Sequence, residues 1–530
     1  MSAPLATLQD SLLRHAAARP DAHFILAAES ADTLSFAQLL HSAGATAQWL
    51  RAQGCRPGDK IAFLLSGGFN TVRLALSLML AGYVVVPLNL LATDEALEWI
   101  IPHSDARIIF TTRQFAPRLQ DVVRRLPSPG PAIVTEERWP AAPQELSAPA
   151  AALYRPEPAH PALLMYTSGT TGRPKGVLLS HANLFAAARE ISRWHRLGPE
   201  DRLLSALPVY HINGWVIGTL VPLFSGGSLV AMGRFSVSAW WQTVGKHRCT
   251  WLNLVPTMIA FLLNAPGGGA HRYPQVKFAR SASAPLPQTH HQQFERRFGI
   301  PVVEGMGMTE SASLVFCNPH DERVYGSVGL PCGVQAAVVD TRGEPLADNR
   351  VGEIMLRGAS VMNGYYQDAA QTASAIRDGW LRTGDLGYRD DNGFYFITGR
   401  LKELIIKGGE NIAPREIDDV LVRHPAVMEA AAFAVPDAHY GQEIAAAIVL
   451  KDGCPLDEAA LRAWCRQKLG KYKTPRAFHV VDNLPRGASG KIQRLKLGEQ
   501  LALTAPGSLP PQTSQVTNDE QTAGKYRQPY

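Results

Sequence analysis

The chain has no G-x-x-x-x-G-K-[ST] loop, no C-x-x-C pair and no G-x-S-x-G elbow. These absences exclude the ordinary P-loop NTPases, a paired-cysteine metal or redox centre, and an α/β-hydrolase nucleophile. Charge of one sign is never concentrated: 52 Lys and Arg against 46 Asp and Glu leave +6 spread along the sequence. A nucleic-acid stripe is therefore not expected, although a mild attraction for anionic substrates is. The most apolar stretch, residues 74–92, is interrupted by Gly82, Pro87 and Asn89 and makes no clean membrane span. Asp10 and Arg14 stand where a secretion signal needs an apolar core. The six cysteines lie far apart, without histidines at metal-ligand spacing, and read as reduced, mostly buried thiols of a cytoplasmic protein. There are no internal repeats.

What is present is ordinary globular composition, 46% hydrophobic and 18% charged, in 530 residues. That is too long for one hydrophobic core, so two or more domains are expected. Helix-period segments at 8–18, 36–53, 70–80 and 93–102 alternate with short apolar runs at 60–65, 83–86 and 106–111. The rhythm returns from 201 to 298, and alternation of this kind predicts α/β layers with mostly parallel strands. Residues 326–396 read as a β-rich piece with Gly, Pro and Asp-Asn-Gly turns. After Gly399-Arg400 the pattern changes to a compact α+β unit: strand 404–406, helix 414–423, strands 430–435 and 443–450, helix 457–469. The expected division is a large domain over 1–400, made of two α/β halves and a small β-rich subdomain, and a smaller mobile domain over 401–500. The Pro-, Gln-, Ser- and Thr-rich tail, 504–530, is expected to be disordered.

One segment carries the most chemistry. The apolar run Ala162-Leu163-Leu164-Met165 feeds Tyr166-Thr-Ser-Gly-Thr-Thr-Gly-Arg-Pro-Lys175-Gly. Small residues let backbone N–H groups and hydroxyls close around phosphate oxygens, and Lys175 adds a movable positive charge. This is the composition of a nucleotide-triphosphate loop. The stretch resembles the signature of the adenylate-forming superfamily, which contains acyl-CoA synthetases, stand-alone adenylation domains and luciferases. The resemblance assigns Thr167, Ser168, Gly169, Thr170, Thr171, Gly172 and Lys175 to nucleotide binding, with Thr170 and Lys175 also taking part in catalysis.

Further segments follow in that family's order across residues 160–495. In Glu304-Gly-Met-Gly-Met-Thr-Glu310 the resemblance places phosphate on Thr309 and Mg²⁺ on Glu310, an oxygen ligand suited to that ion. Met306 stands where the family usually carries a tyrosine against adenine. In Trp380-Leu-Arg-Thr-Gly-Asp385 the aspartate corresponds to one that takes both ribose hydroxyls, since a carboxylate accepts two hydrogen bonds at once. In Ile397-Thr-Gly-Arg400-Leu-Lys402 the resemblance puts Ile397 and Arg400 at the nucleotide and makes Lys402 the hinge of the small domain. Gly408 and Gly409 correspond to a loop lining the coenzyme A tunnel, and equally suit a plain Gly-Gly hairpin. Lys491, in Pro485-Arg-Gly-Ala-Ser-Gly-Lys-Ile, corresponds to the lysine that bridges the carboxylate and the α-phosphate during adenylation.

The same resemblance makes Ser283, in Arg280-Ser-Ala-Ser-Ala-Pro-Leu286, part of an adenine wall, and His211, in Leu207-Pro-Val-Tyr-His-Ile-Asn-Gly-Trp215, a gate beside the substrate carboxylate. Trp215, Asn253, Arg280 and Met308 are the remaining substrate-pocket candidates; bulky or polar, they lean toward a short, anionic acid, with Arg280 the one permanent cation in these segments and Asn213 and Asn253 as donors. The wording around Arg280 and Phe316-Cys-Asn-Pro also resembles ligases for small anionic acids such as sulfoacetate. The expected activity is an AMP-forming acid–CoA ligase using a carboxylic acid, ATP, Mg²⁺ and coenzyme A, as monomer or homodimer, with no nucleic-acid or membrane partner. Medium- or long-chain fatty acyl-CoA synthesis and a non-catalytic adenylate-binding relative are the alternatives. Amino-acid activation is disfavoured, because 208–222 contains no acidic side chain to hold a substrate ammonium.

Overall fold

The computed structural model describes residues 6–127, 130–140, 153–167, 173–265, 273–451, 453–486 and 492–501. The expected tail from 504 onward lies outside these residues. Strand-length runs of Val, Ile, Leu and Phe that can be buried on both faces assemble into two large sheets covered by helices. In the first, Lys60–Leu64 pairs in parallel with Val84–Pro87 on one side and Ala106–Thr111 on the other, and Val84–Pro87 pairs with Pro161–Thr167. In the second, Val302–Met308, Phe278–Ser281, Trp251–Leu254, Arg202–Ser205, Ser228–Ala231 and His23–Ala27 lie side by side in parallel. Helices start where side chains satisfy their first N–H groups. Thr7 with Asp10, Ser35 with Gln38 and Ser180 with Asn183 each form a capping box.

A separate antiparallel sheet holds Gln335–Val339, Gly352–Arg357, Trp380–Arg389 and Tyr395–Arg400. The smaller α+β body follows, with Val427–Asp437 and Gly441–Leu450 as its central antiparallel pair and helices Pro414–Val422 and Glu458–Lys473 packed on it. The α/β architecture of a large N-terminal and a smaller C-terminal domain is thus the one expected. Local boundaries differ. The strand expected at 404–406 is Ile405–Lys407, whereas the helix expected to end at 469 does break there, at Gly470, whose φ of +74° is not helical, with a further short helical piece reaching Lys473.

One element was not expected at all: Asn213–Leu220 is a π-helix. A wide helical turn accommodates an extra residue and recurs at functional sites. Gly214 permits it here, because a Cβ at that position would sit 2.1 Å from the Pro208 carbonyl oxygen. Among the described residues no helix is long and apolar enough to cross a membrane.

Candidate active site

Pro161–Thr167 turns back antiparallel into Lys175–Ser180, pairing Thr167 with Lys175 and Tyr166 with Gly176. Thr167 and Lys175, on either side of the glycine-rich segment, are therefore held together by a sheet ladder. Ser168, Gly169, Thr170, Thr171 and Gly172 lie outside the described residues. The ladder is also braced from the side: the Tyr166 hydroxyl is 2.7 Å from His103 Nδ1, and that imidazole stacks on Trp99 at 4.3 Å.

Lys175 meets the other charged groups here. Burial and the nearby Lys402 lower its ammonium below the usual lysine value, while Glu310 and Asp368 act in the opposite sense. Lys402, in the short turn Leu401–Glu403, thus brings a second cation toward Lys175. Glu310 follows Val302–Met308 in the single turn Thr309–Ser311. The sharp return into Ser313–Cys317 needs Gly307, where a Cβ would lie 1.9 Å from the Ser313 carbonyl oxygen. Thr309 and Met308 are half-buried beside it. Glu310 Oε1 accepts a 3.1 Å hydrogen bond from the Tyr365 hydroxyl. Among the described residues no cluster of three or more His, Cys, Asp or Glu could hold a metal by itself. A single carboxylate fits Mg²⁺ of the kind that keeps most of its waters and takes its other ligands from substrate phosphates.

Asp385 and Arg400 face each other across the hairpin of Trp380–Arg389 and Tyr395–Arg400, with Ile397 opposite Gly387 in the same ladder. Arg400 Nε donates to Asp385 Oδ1 at 2.8 Å, and the carboxylate raises the guanidinium's pKa. Asp385 is buried and its Oδ2 has no partner among the described residues. A buried acceptor left open is what a ribose hydroxyl would satisfy.

The pocket candidates converge on the second sheet. Asn253 and Arg280 are neighbours in the parallel ladder, and Asn213, at the start of the π-helix, lies against both. Asn213 Oδ1 accepts from Asn253 Nδ2 at 3.0 Å and from Arg280 Nη1 at 3.3 Å; its Nδ2 donates to Ser283 Oγ at 3.1 Å. Ser283, with φ of +77°, thereby ties the pocket to the expected adenine wall.

Arg280 is 1% exposed, and no carboxylate pairs with it among the described residues. Nη1 reaches Asn213 Oδ1 and Asn253 Oδ1, each at 3.3 Å, and Nε has no partner. Burial pushes this guanidinium down to about 10. Trp215 is wholly buried, stacked on Phe63 at 6.5 Å, with Nε1 unpartnered among the described residues. The adjoining cavity, lined by Gly67, Ser205, Leu207 and Gly218, measures ≈ 10 Å³, room for about one water molecule. The His211 backbone caps the π-helix through Trp215 N–H at 2.9 Å, and its ring packs edge-on to Tyr210 at 4.8 Å.

The small domain contributes the turn Gly408-Gly409, joining Ile405–Lys407 to Glu410–Ile412 as a hairpin. Its φ values of +54° and +86° suit glycine at both positions. Lys407 Nζ pairs with Glu443 Oε1 at 2.5 Å beneath it. Lys491 lies outside the described residues.

Two features, Tyr365 and Glu304, were not singled out from the sequence, and Asn213 was named there only as a donor beside Arg280. Tyr365 sits between Lys175 and Glu310. Asn213 is the hub of the Arg280 network. Glu304 is a wholly buried carboxyl that burial pushes up to about 7, its Oε1 accepting from Leu286 N at 3.1 Å and its Oε2 lying 4.0 Å from His291 Nδ1. Tyr365 and Glu304 carried no signal of their own in the sequence.

Comparison with known proteins gives the following. The family described as AMP-binding enzyme matches residues 12–366, and its C-terminal domain matches 416–491. The chain is 50% identical over 497 residues to sulfoacetate–CoA ligase of Cupriavidus necator, covering 93% of this chain and 97% of that one. The crystal structure of ATP-bound MatB from Rhodopseudomonas palustris superposes with a TM-score of 0.85 at 32% identity, covering 93% of this chain and 98% of that one. The apo form of the same protein, at the same identity and coverage, gives 0.76, so the present arrangement resembles the ATP-bound form more. o-Succinylbenzoate CoA synthetase from Bacillus subtilis in complex with ATP and magnesium ion superposes at 0.80, 30% identical, covering 92% of this chain and 98% of that one.

Proposed function

The chain belongs to the AMP-binding enzyme family as an AMP-forming acid–CoA ligase, and we propose that the acid it activates is small and doubly anionic, of the sulfoacetate kind. The carrying observation is Arg280: a buried guanidinium whose acceptors among the described residues are two amide oxygens and not a carboxylate. Burying an uncompensated charge costs several kcal/mol, and a substrate bearing a second anionic group would supply the missing counter-charge. The bulk of Trp215, wholly buried and stacked on Phe63, supports a short acid over a long chain.

In this reading the substrate carboxylate attacks the α-phosphorus of ATP, the bond to pyrophosphate breaks, and an acyl-adenylate forms. Thr167 and the loop to Lys175 hold phosphate oxygens, with Thr309 beside them. Glu310 would hold Mg²⁺, which when bound would neutralise charge on the leaving pyrophosphate. Asp385, Arg400, Ile397 and Ser283 hold the nucleoside, and Lys491 stabilises the transition state. The small domain, divided from the large one after residue 400, then turns about Lys402 and brings Gly408 and Gly409 to the pantetheine arm. The coenzyme A thiolate attacks the acyl carbon and AMP leaves, so no protein nucleophile is required. His211 gates the carboxylate, with Trp215, Asn253, Arg280 and Met308 around the acid.

The described cysteines are all unpaired and mostly buried, which supports a cytoplasmic setting; a monomer or homodimer belongs to the same proposal. The test is a pyrophosphate-release screen. Sulfoacetate and comparable dianions should give the highest kcat/KM, and preferential turnover of medium- or long-chain fatty acids would refute the substrate assignment.

A further inference from the structure

Residues 358–366 form a strap that joins the two halves of the phosphate site. Asn183, from the capping box that opens helix His181–Trp194, donates to the carbonyls of Ala359 at 2.9 Å and Val361 at 2.8 Å. Met362 N–H donates to the Glu310 carbonyl at 2.8 Å, and Tyr366 N–H to the Gly176 carbonyl at 2.7 Å. Gly364 and Tyr365 pair antiparallel with Leu178 and Val177, extending the sheet that carries Lys175. Consecutive strand residues point to opposite faces. Tyr366 accordingly faces away, donating to Asp105 at 2.6 Å with Lys60 Nζ 4.8 Å from its ring centroid. Tyr365 faces in. Its hydroxyl donates to Glu310 Oε1 at 3.1 Å, and Lys175 Nζ lies 5.0 Å from its ring centroid.

From this placement we infer that Tyr365 is a positioning residue for the adenylation half-reaction. Its hydroxyl fixes Glu310 Oε1 so that Oε2 is presented to the metal, and its ring holds Lys175 clear of that carboxylate until phosphate arrives. Without such a spacer the ammonium and the carboxylate would pair with each other, and each would have to be released before ATP·Mg²⁺ could bind. A cation over a ring face is held more weakly than one in a charge-assisted hydrogen bond, so Lys175 transfers readily to a phosphate oxygen. This rests on the reading of Glu310 as the metal ligand.

The test is equilibrium binding of ATP by calorimetry, with Mg²⁺ titrated and again in EDTA, for wild type, Tyr365→Phe, Glu310→Gln and the double variant, with melting temperatures as a folding check. Groups that orient a metal ligand change metal affinity by roughly 10- to 100-fold when removed. Tyr365→Phe should raise the Mg²⁺ concentration for half-maximal ATP binding by that factor, leave binding in EDTA unchanged, and add nothing to the shift of Glu310→Gln. If Glu310→Gln shifts the Mg²⁺ titration and Tyr365→Phe superposes on wild type, the inference about Tyr365 fails while the site reading stands. If Glu310→Gln shifts nothing, the site reading fails and this inference with it. Equal loss of binding with and without metal in a folded Tyr365→Phe protein would show a general structural role and overturn the inference.

Discussion

Replacing Arg280 by methionine should separate stability from activity. In the ligand-free protein the guanidinium is buried and unpaired by any described carboxylate, with one unpartnered N–H. Methionine removes the desolvated charge and fills much of the same volume. Against that gain, Asn213 Oδ1 and Asn253 Oδ1 lose a donor, although Asn213 Oδ1 keeps the hydrogen bond from Asn253 Nδ2. Replacing buried charges by apolar residues of similar size is neutral or stabilising by about 1–4 kcal/mol, and an orphaned acceptor costs about 1–3 kcal/mol. The ligand-free variant should therefore melt at or above the wild-type temperature.

Its activity should move the other way. Truncating one partner of a buried charge pair costs about 2–5 kcal/mol, which is a loss in kcat/KM for the dianionic acid of roughly 30-fold to several thousand-fold. A neutral acid of the same size should be unaffected or improved. The assays are differential scanning calorimetry without ligand and pyrophosphate release with the matched pair of acids. A variant that melts well below wild type yet keeps full kcat/KM for the dianion would refute the argument, because Arg280 would then be a structural cation.

Three further outcomes follow from the same structure. Lys491→Ala should depress adenylate formation by orders of magnitude while sparing thioester formation from supplied acyl-adenylate, and Gly409→Leu, at a φ of +86°, should do the reverse; equal loss of both half-reactions in each variant would rule out domain rotation. Glu310→Gln should lower turnover by about 100-fold or more, the scale of a lost transition-state charge contact, and unchanged turnover across a Mg²⁺ titration would remove Glu310 from the site. Glu304, raised from 4.5 to about 7, holds a proton in the folded state that the unfolded chain has released. Its contribution to stability is full below pH 4.5 and is lost as pH rises through 7, so Glu304→Gln should flatten the decline of melting temperature over that interval, and parallel wild-type and variant curves would contradict the assignment.

Much of the nucleotide side of this protein was legible in the sequence, because its parts are local. The antiparallel pair that brings Thr167 to Lys175 is encoded by an apolar run, a stretch of small residues and a second apolar run, all within twenty residues. Asp385 and Arg400 come together because the strands that carry them are consecutive and antiparallel, so a short turn sets their register. The alternation of helix and strand periods likewise identified the layered α/β body, since hydrophobic periodicity is written along the chain itself.

What only the tertiary structure decided depends on crossovers. Asn213, Asn253 and Arg280 are separated by 27 to 67 positions, and they meet because parallel strands place their ends side by side and a π-helical turn swings Asn213 over them. Nothing local distinguishes Arg280 from a surface arginine; its burial, and the lack of an acidic partner among the described residues, arise from residues contributed by three separate elements. The same holds for Tyr365, which lies 55 positions from Glu310 and reaches it only when its strand joins the edge of the Lys175 sheet. Backbone conformation is set by neighbours in sequence, whereas the charge environment of a buried side chain is set by neighbours in space.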